Sequence, residues 1–174
     1  NTTAEFKELS ADINITVDKL KHLIAEAAAR MDSELEFAKA IQHSALPNVF
    51  PPYPGHREFT IWAGMATAHE VGGDFYDFYL LGEDKLAFLI ADVSGKGVPA
   101  ALFMMTAKTL IKSLMETGLP PEEVFDRANA KLCSGNAADM FVTAWLGVLD
   151  LNSGTGQYVN AGHNAPLVNV QCGG

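Results

Sequence analysis

Two aspartates, Asp74 and Asp92, are the residues whose type and spacing could most directly carry out chemistry. A turn centred on Glu83 would join two short apolar runs as a hairpin and bring Asp74 opposite Asp92. Directly opposed side chains have Cβ atoms about 5 Å apart, where two carboxylates repel each other unless a cation or a shared proton intervenes. Carboxylate, carbonyl and water oxygens are the ligands that Mg²⁺ and Mn²⁺ prefer. The spacing therefore predicts a divalent cation between the two strands.

Both aspartates also have ordinary structural explanations. Asp74 could close a turn over residues 72–74, and Asp92 could cap a turn over residues 93–97. A hairpin loop of another length would shift the register and move a side chain to the opposite face of the sheet. On the pattern alone, the cation site and these alternatives stay open.

Other residues give weaker chemical signals. His69 and His163 lie near no Ser or Cys in a nucleophile motif, so we assign neither of them a proton-transfer role. Residues 94–97 (SGKG) place flexible backbone and a cation before a predicted helix, where a phosphate could bind. They lack the order of a Walker A loop, and a turn is the simpler interpretation.

The elements that must position the aspartates follow from periodicity and turn residues. The pattern predicts α+β architecture with a largely antiparallel sheet, because strands are followed by two helices and then by further strands. The predicted strands cover residues 58–66, 74–80, 86–92, 140–151, 157–161 and 165–170, and the predicted helices cover residues 98–116 and 121–135.

The sequence pattern of the N-terminal region predicts one long helix. Neither Pro nor Gly occurs between Phe6 and Ala45, and Pro47 ends the helix before a Pro-rich linker. Apolar residues follow at alternating steps of four and three, which is the seam of a coiled coil: Ile13, Val17, Leu20, Ile24, Ala27 and Met31. We expect a parallel homodimer through this seam. The alternative is an amphipathic helix folded onto its own domain.

Composition limits the remaining classes of function. The 174 residues are 48% hydrophobic and carry a formal net charge of -9, which argues against disorder and against nucleic acid as a partner. No apolar run reaches the roughly 18 residues of a membrane span, so we expect a membrane connection only outside this chain. Without a secretion signal or a cysteine framework, a cytoplasmic location is expected, although a disulfide between Cys133 and Cys172 stays open.

Three motifs in order resemble the SpoIIE/RsbU branch of the PPM metal-dependent protein phosphatases. They are EVGGDFYD at residues 70–77, ADVSGKG at residues 91–97 with Ala100 and Ala101, and AGHNAP at residues 161–166. Residues 35–47 resemble the segment that precedes this domain, and residues 9–20 resemble the second helix of a HAMP signalling module. The resemblance divides the chain into a HAMP-end and coiled-coil helix (1–46), a linker (47–57) and a partial phosphatase domain (58–174).

The resemblance implies an αββα sandwich that hydrolyses phosphoserine or phosphothreonine on a protein, often a small anti-sigma-factor antagonist. A complete site in this family uses two Mn²⁺ or Mg²⁺ ions. By the matched motifs, Asp92 would bridge both ions, the Val93 carbonyl would bind one of them, and Asp74 would complete that side.

The C-terminal region departs from the family. Members continue past the Ala-Gly-His-Asn motif into segments that supply the acids for the other ion, whereas here eleven residues follow His163 and none is Asp or Glu. We therefore expect either a partial domain with little or no activity or a degenerate, non-catalytic dimeric module. Residues 72–75 (GGDF) also resemble the GGDEF cyclases, but in those enzymes the motif is itself the hairpin turn.

Overall fold

The computed structural model describes residues 2–66 and 71–169, with the side chains of residues 2, 3 and 5 left out. The elements in chain order are α1 (Thr2–Ala45), β1 (Phe75–Leu81), β2 (Lys85–Val93), α2 (Gly97–Met115), α3 (Pro121–Cys133), β3 (Val142–Asp150) and β4 (Gly156–Ala161). The four strands form one antiparallel sheet in the order β1-β2-β3-β4. The α+β prediction is confirmed, and the described residues supply one sheet and one helical layer of a sandwich.

The first hairpin has the predicted register. Phe78 pairs with Phe88 and Tyr76 pairs with Ile90, as a turn centred on Glu83 requires. Gly82 adopts a φ of +67° in this turn, a conformation that Gly reaches without steric cost. The alternative of a shifted register is therefore wrong.

The core lies between the sheet and the helices α2 and α3. Alternate residues of the strands face these helices and are buried, as the burial of Phe75, Leu89 and Leu146 shows. Among the described helices, α2 is long and apolar enough to cross a membrane. This corrects the expectation that no segment meets that criterion, but Met104 and Ile111 of α2 are fully buried against the sheet, as in the core helix of a globular domain.

A buried ion pair ties α2 to β1. Asp77 is 3% exposed, and the Lys108 ammonium lies 2.7 Å from its Oδ2 atom. The backbone N–H of Phe78 donates to Oδ1 of the same carboxylate at 3.0 Å. Removing one partner of such a pair leaves an uncompensated charge, so the contact restricts where α2 can sit on the sheet.

Two predicted strands are wrong. Residues 58–66 have the composition of a strand, but their backbone is irregular. The segment pairs with no strand among the described residues. Instead this region contributes to an aromatic layer on β1, in which Phe50 lies 6.1 Å from Trp62 and 5.7 Å from Phe78 between ring centroids. Residues 165–169 are likewise not a strand, and Val170 lies outside the described residues.

Helix α1 is continuous over 44 residues, as predicted, and most of it extends away from the sheet. Its seam is uncovered: Ile13, Leu20, Ile24 and Met31 each expose more than half of their surface. The alternative of a helix folded along its own domain is therefore wrong. Only the last turns of the helix and Leu46 beyond it contact the rest of the described chain.

Candidate metal centre

Asp74 and Asp92 lie together at one end of the β1–β2 hairpin. Asp74 precedes the first pair of the ladder, Phe75 with Ala91, and Asp92 is the next residue on the opposite strand. Both side chains reach solvent, and the two carboxyl groups lie close enough for Asp92 to affect the pKa of Asp74. Partial burial first, and then the hydrogen bond and the charge of Asp92, raise the pKa of Asp74. The structure thus brings the two predicted aspartates into contact.

Gly73 is what allows this approach. A Cβ atom at Gly73 would lie 2.6 Å from the carbonyl oxygen of Val93 and 2.8 Å from its Cβ atom. Such distances are too short for any side chain, so only glycine lets the loop before Asp74 pass this close to Val93. The Val93 carbonyl therefore lies beside the loop that carries Asp74.

Gln42 holds the same loop from the other side. Its side chain is buried, Nε2 donates to the carbonyl of Gly72 at 2.6 Å, and Oε1 accepts the N–H of Gly72 at 3.2 Å. The Tyr76 hydroxyl donates to the carbonyl of Pro47 at 2.8 Å. The end of α1 is thus fastened directly to the residues that precede Asp74.

The turn after Val93 fixes the other aspartate. The N–H of Ser94 donates to the carbonyl of Phe141 at 2.8 Å, and the N–H of Phe141 donates to Oγ of Ser94 at 2.9 Å. Gly95 and Gly97 have φ values of +88° and +72°, which allow the chain to turn into α2. This geometry agrees with the interpretation of residues 94–97 as a turn.

Two further polar residues lie beside the aspartates. Thr143 is the Cα partner of Asp92 across β2 and β3, and its Oγ1 atom lies 3.0 Å from Nδ1 of His163. His163 and Asp74 line the same cavity. Sequence reasoning assigned His163 no role and missed Thr143, because the pairing of β2 with β3 spans two intervening helices. The Ala-Gly-His-Asn motif was the signal that could have pointed to His163.

The donor set fits a hard divalent cation. Two carboxylates in contact are unfavourable when both are ionised, and a cation between them removes the repulsion. Asp74, Asp92 and the Val93 carbonyl offer oxygen atoms alone, which suits Mg²⁺ or Mn²⁺. Within residues 2–66 and 71–169, no group of three His, Cys, Asp or Glu side chains could hold an ion. The described residues that could hold a cation are therefore these two carboxylates and one carbonyl.

Two other candidates contribute nothing to this centre. His69 lies outside the described residues, as does Cys172. Cys133 is exposed at the end of α3. The disulfide that the sequence left open therefore stays untested.

Comparisons with known proteins show which family this chain resembles. Residues 82–173 match the family described as Stage II sporulation protein E (SpoIIE). Protein IcfG of Synechocystis sp. is 32% identical over 87% of this chain and 28% of its own length. Phosphoserine phosphatase RsbU of Bacillus subtilis is 33% identical over 75% of this chain and 38% of its own length.

A solved structure, the SiaA-PP2C domain of Pseudomonas aeruginosa, has a similar fold. It superposes with a TM-score of 0.59 and 26% identity, covering 72% of this chain and 51% of that chain. The chain spans well under half of the length of IcfG and RsbU. The match to the SpoIIE family covers more than half of the residues of this chain. The chain therefore belongs to the SpoIIE family, whose RsbU-like members have a PPM-type phosphatase domain.

Proposed function

We propose that the chain is part of a bacterial signalling phosphatase that hydrolyses phosphoserine or phosphothreonine on a partner protein. The observation that carries this proposal is the contact between Asp74 and Asp92 at the end of the first hairpin. The similarity to RsbU, which is named a phosphoserine phosphatase, supports the same reaction class. A small anti-sigma-factor antagonist is the substrate that the family resemblance favours.

The residues have distinct roles in this proposal. Asp92 would bridge two Mn²⁺ or Mg²⁺ ions, with Asp74 and the Val93 carbonyl completing one side. When bound, such ions lower the pKa of water and stabilise negative charge on phosphoryl oxygens. Gly73 lets the loop before Asp74 pass close to the Val93 carbonyl, and the bonds between Ser94 and Phe141 hold the strand end that carries Asp92.

The N-terminal helix would make the protein a dimer. We propose that residues 1–46 form the HAMP-end and coiled-coil helix, residues 47–57 a linker, and residues 58–174 the partial phosphatase domain. The exposed seam supports a homodimer, because an uncovered apolar stripe on an acidic chain favours self-association. We place this part of the protein in the cytoplasm, with any membrane anchor outside this chain.

A non-catalytic dimeric module is the second candidate. It is favoured by the absence of a third acidic ligand within the described part of the chain. A GGDEF-type cyclase is disfavoured, because Gly72 and Gly73 precede β1, whereas the hairpin turn is formed at Gly82.

A phosphatase assay on the full-length protein that contains this chain separates the candidates. We expect Mn²⁺-dependent phosphate release from a phosphoserine protein, and a loss of at least about 100-fold in Asp92→Asn, since metal ligands act directly on the transition state. Asp84→Asn, at the exposed turn of the same hairpin, is the matched control and should retain activity. Absence of release by the wild type at saturating Mn²⁺ would favour the non-catalytic module.

A further inference from the structure

A row of polar side chains crosses the open end of the sheet. Asp92 lies between Asp74 on one neighbouring strand and Thr143 on the other. The flanking residues Ala91 and Val93 are buried on the helical side, so the row lies on the opposite face, towards solvent. His163 continues this row through its contact with Thr143.

His163 is held in place through both its backbone and its ring. The Asn160 side chain accepts the N–H of His163 at 2.8 Å and donates to its carbonyl at 3.0 Å. Gly162 has a φ of +75°, which lets the chain turn directly before His163. The ring orientation is therefore set by the fold.

One ring nitrogen of His163 is already engaged within the protein. The Thr143 hydroxyl lies 3.0 Å from Nδ1 of His163 but 3.5 Å from the carbonyl of Asp92. The contact with Thr143 occupies Nδ1 and leaves Nε2 as the ring atom available to a ligand. When the hydroxyl donates to Nδ1, the ring proton is on Nε2. Nε2 is then a donor at the cavity that His163 shares with Asp74.

That cavity lacks another strong anion-binding group. It has a volume of about 460 Å³ and is lined by Trp62, Met65, Tyr76 and Ile90 besides Asp74 and His163. Among its described lining residues there is no Lys or Arg.

We propose that the Thr143 hydroxyl donates to Nδ1 of His163, and that Nε2 binds the phosphate group of the substrate by donating a hydrogen bond to a phosphoryl oxygen. The proposal rests on the proposed phosphatase function and adds a substrate-binding residue to it. Thr143 and Asn160 act as positioning residues, since they orient the donor without reaching the phosphate themselves. The subsite takes a phosphate monoester dianion held next to the aspartate pair.

The first test observes the His163 ring in the wild-type protein. Long-range ¹H–¹⁵N NMR of the histidine rings in the full-length protein, with His163 assigned by comparison with His163→Gln, reports the tautomer. We expect a protonated Nε2 atom, and a shift of its signal when inorganic phosphate is added in the presence of Mg²⁺. A protonated Nδ1 atom, or a ring signal that phosphate leaves unchanged, would overturn the proposal.

The second test measures affinity by calorimetry. His163→Ala should weaken binding of inorganic phosphate to the Mg²⁺-loaded protein by roughly 10- to 100-fold, the usual effect of a hydrogen bond to a charged group. His163→Gln, which keeps an N–H donor near the position of Nε2, should stay within about threefold of the wild type. His22→Ala, on the exposed surface of α1, is the control and should match the wild type.

Binding of Mg²⁺ alone distinguishes this proposal from the proposed function. We expect His163→Ala to bind Mg²⁺ as the wild type does, whereas Asp92→Asn does not. If His163→Ala loses Mg²⁺ affinity in parallel with phosphate affinity, the ring serves the cation or the carboxylates, and the phosphate subsite is refuted. If the wild type itself binds no Mg²⁺, it is the proposed metal centre that fails.

Discussion

Replacing Asp92 by Asn should stabilise the protein without metal and remove the stabilisation that metal provides. The two carboxyl groups are neighbours, and burial together with Asp92 raises the pKa of Asp74, so ionising both groups is unfavourable. The Asp92→Asn substitution would remove one charge and supply an amide N–H that could donate to Asp74. The same substitution removes a cation ligand, so the sign of the effect should reverse when Mg²⁺ is added.

The magnitude follows from charge separation and solvent access. Two unit charges about 4 Å apart repel by about 1 kcal/mol in water and by about 4 kcal/mol at an effective dielectric constant of 20. Because both side chains reach solvent, the lower value applies. A change of about 1 kcal/mol corresponds to roughly 2 to 4 °C in the melting temperature of a chain of this size.

Thermal melts in EDTA and in about 10 mM Mg²⁺ measure both effects. With a dissociation constant on the order of 1 mM, binding stabilises the wild type by about 1.4 kcal/mol. Asp92→Asn should therefore melt above the wild type in EDTA and below it in Mg²⁺, with Asp84→Asn following the wild type. A variant that melts lower than the wild type in EDTA, or an equal gain from Mg²⁺ in both proteins, would refute the reasoning.

The raised pKa of Asp74 sets the pH dependence in EDTA. The folded state binds this proton more tightly than the unfolded state, so the contribution of Asp74 to stability is greatest below its ordinary pKa. It should decrease as the pH rises from about 4 through the raised pKa, and Asp92→Asn should flatten this slope. Urea unfolding between about pH 4 and pH 8 measures the difference.

Further substitutions test the supports of the site and the helix. Gly73→Ala should lower the free energy of unfolding by about 1 to 3 kcal/mol and abolish Mg²⁺ binding, because the Cβ atom of the new alanine would meet the Val93 carbonyl. Wild-type Mg²⁺ affinity in calorimetry would contradict this prediction. Gln42→Met should weaken Mg²⁺ binding about tenfold by releasing Gly72, with circular dichroism confirming an intact fold; unchanged affinity would make the contact purely structural. Ile24→Asp should convert a dimer into a monomer in light scattering, since a charge in the seam opposes helix pairing. A monomeric wild type at high micromolar concentration would refute the coiled coil.

Local features of the sequence were enough to predict α1 and the first hairpin. A long run with helical spacing of its apolar residues and without Pro or Gly favours a helix, and a short turn sets the register of the two strands that it joins. The pairing of Phe78 with Phe88 therefore followed from counting outwards from Glu83, and so did the meeting of Asp74 with Asp92. These interactions join residues that are close in the chain.

Interactions between distant segments could be known only from the tertiary structure. Residues 58–66 have the composition of a strand, but a strand requires a partner, and here the segment joins an aromatic layer instead. In the sequence, Gln42 is one of many polar residues on an exposed helix. The structure shows that its amide nitrogen donates to the Gly72 carbonyl and that its amide oxygen accepts the Gly72 N–H. His163 reaches the aspartates because β3 pairs with β2 across two intervening helices, and that pairing depends on the packing of the whole core, which no local spacing encodes.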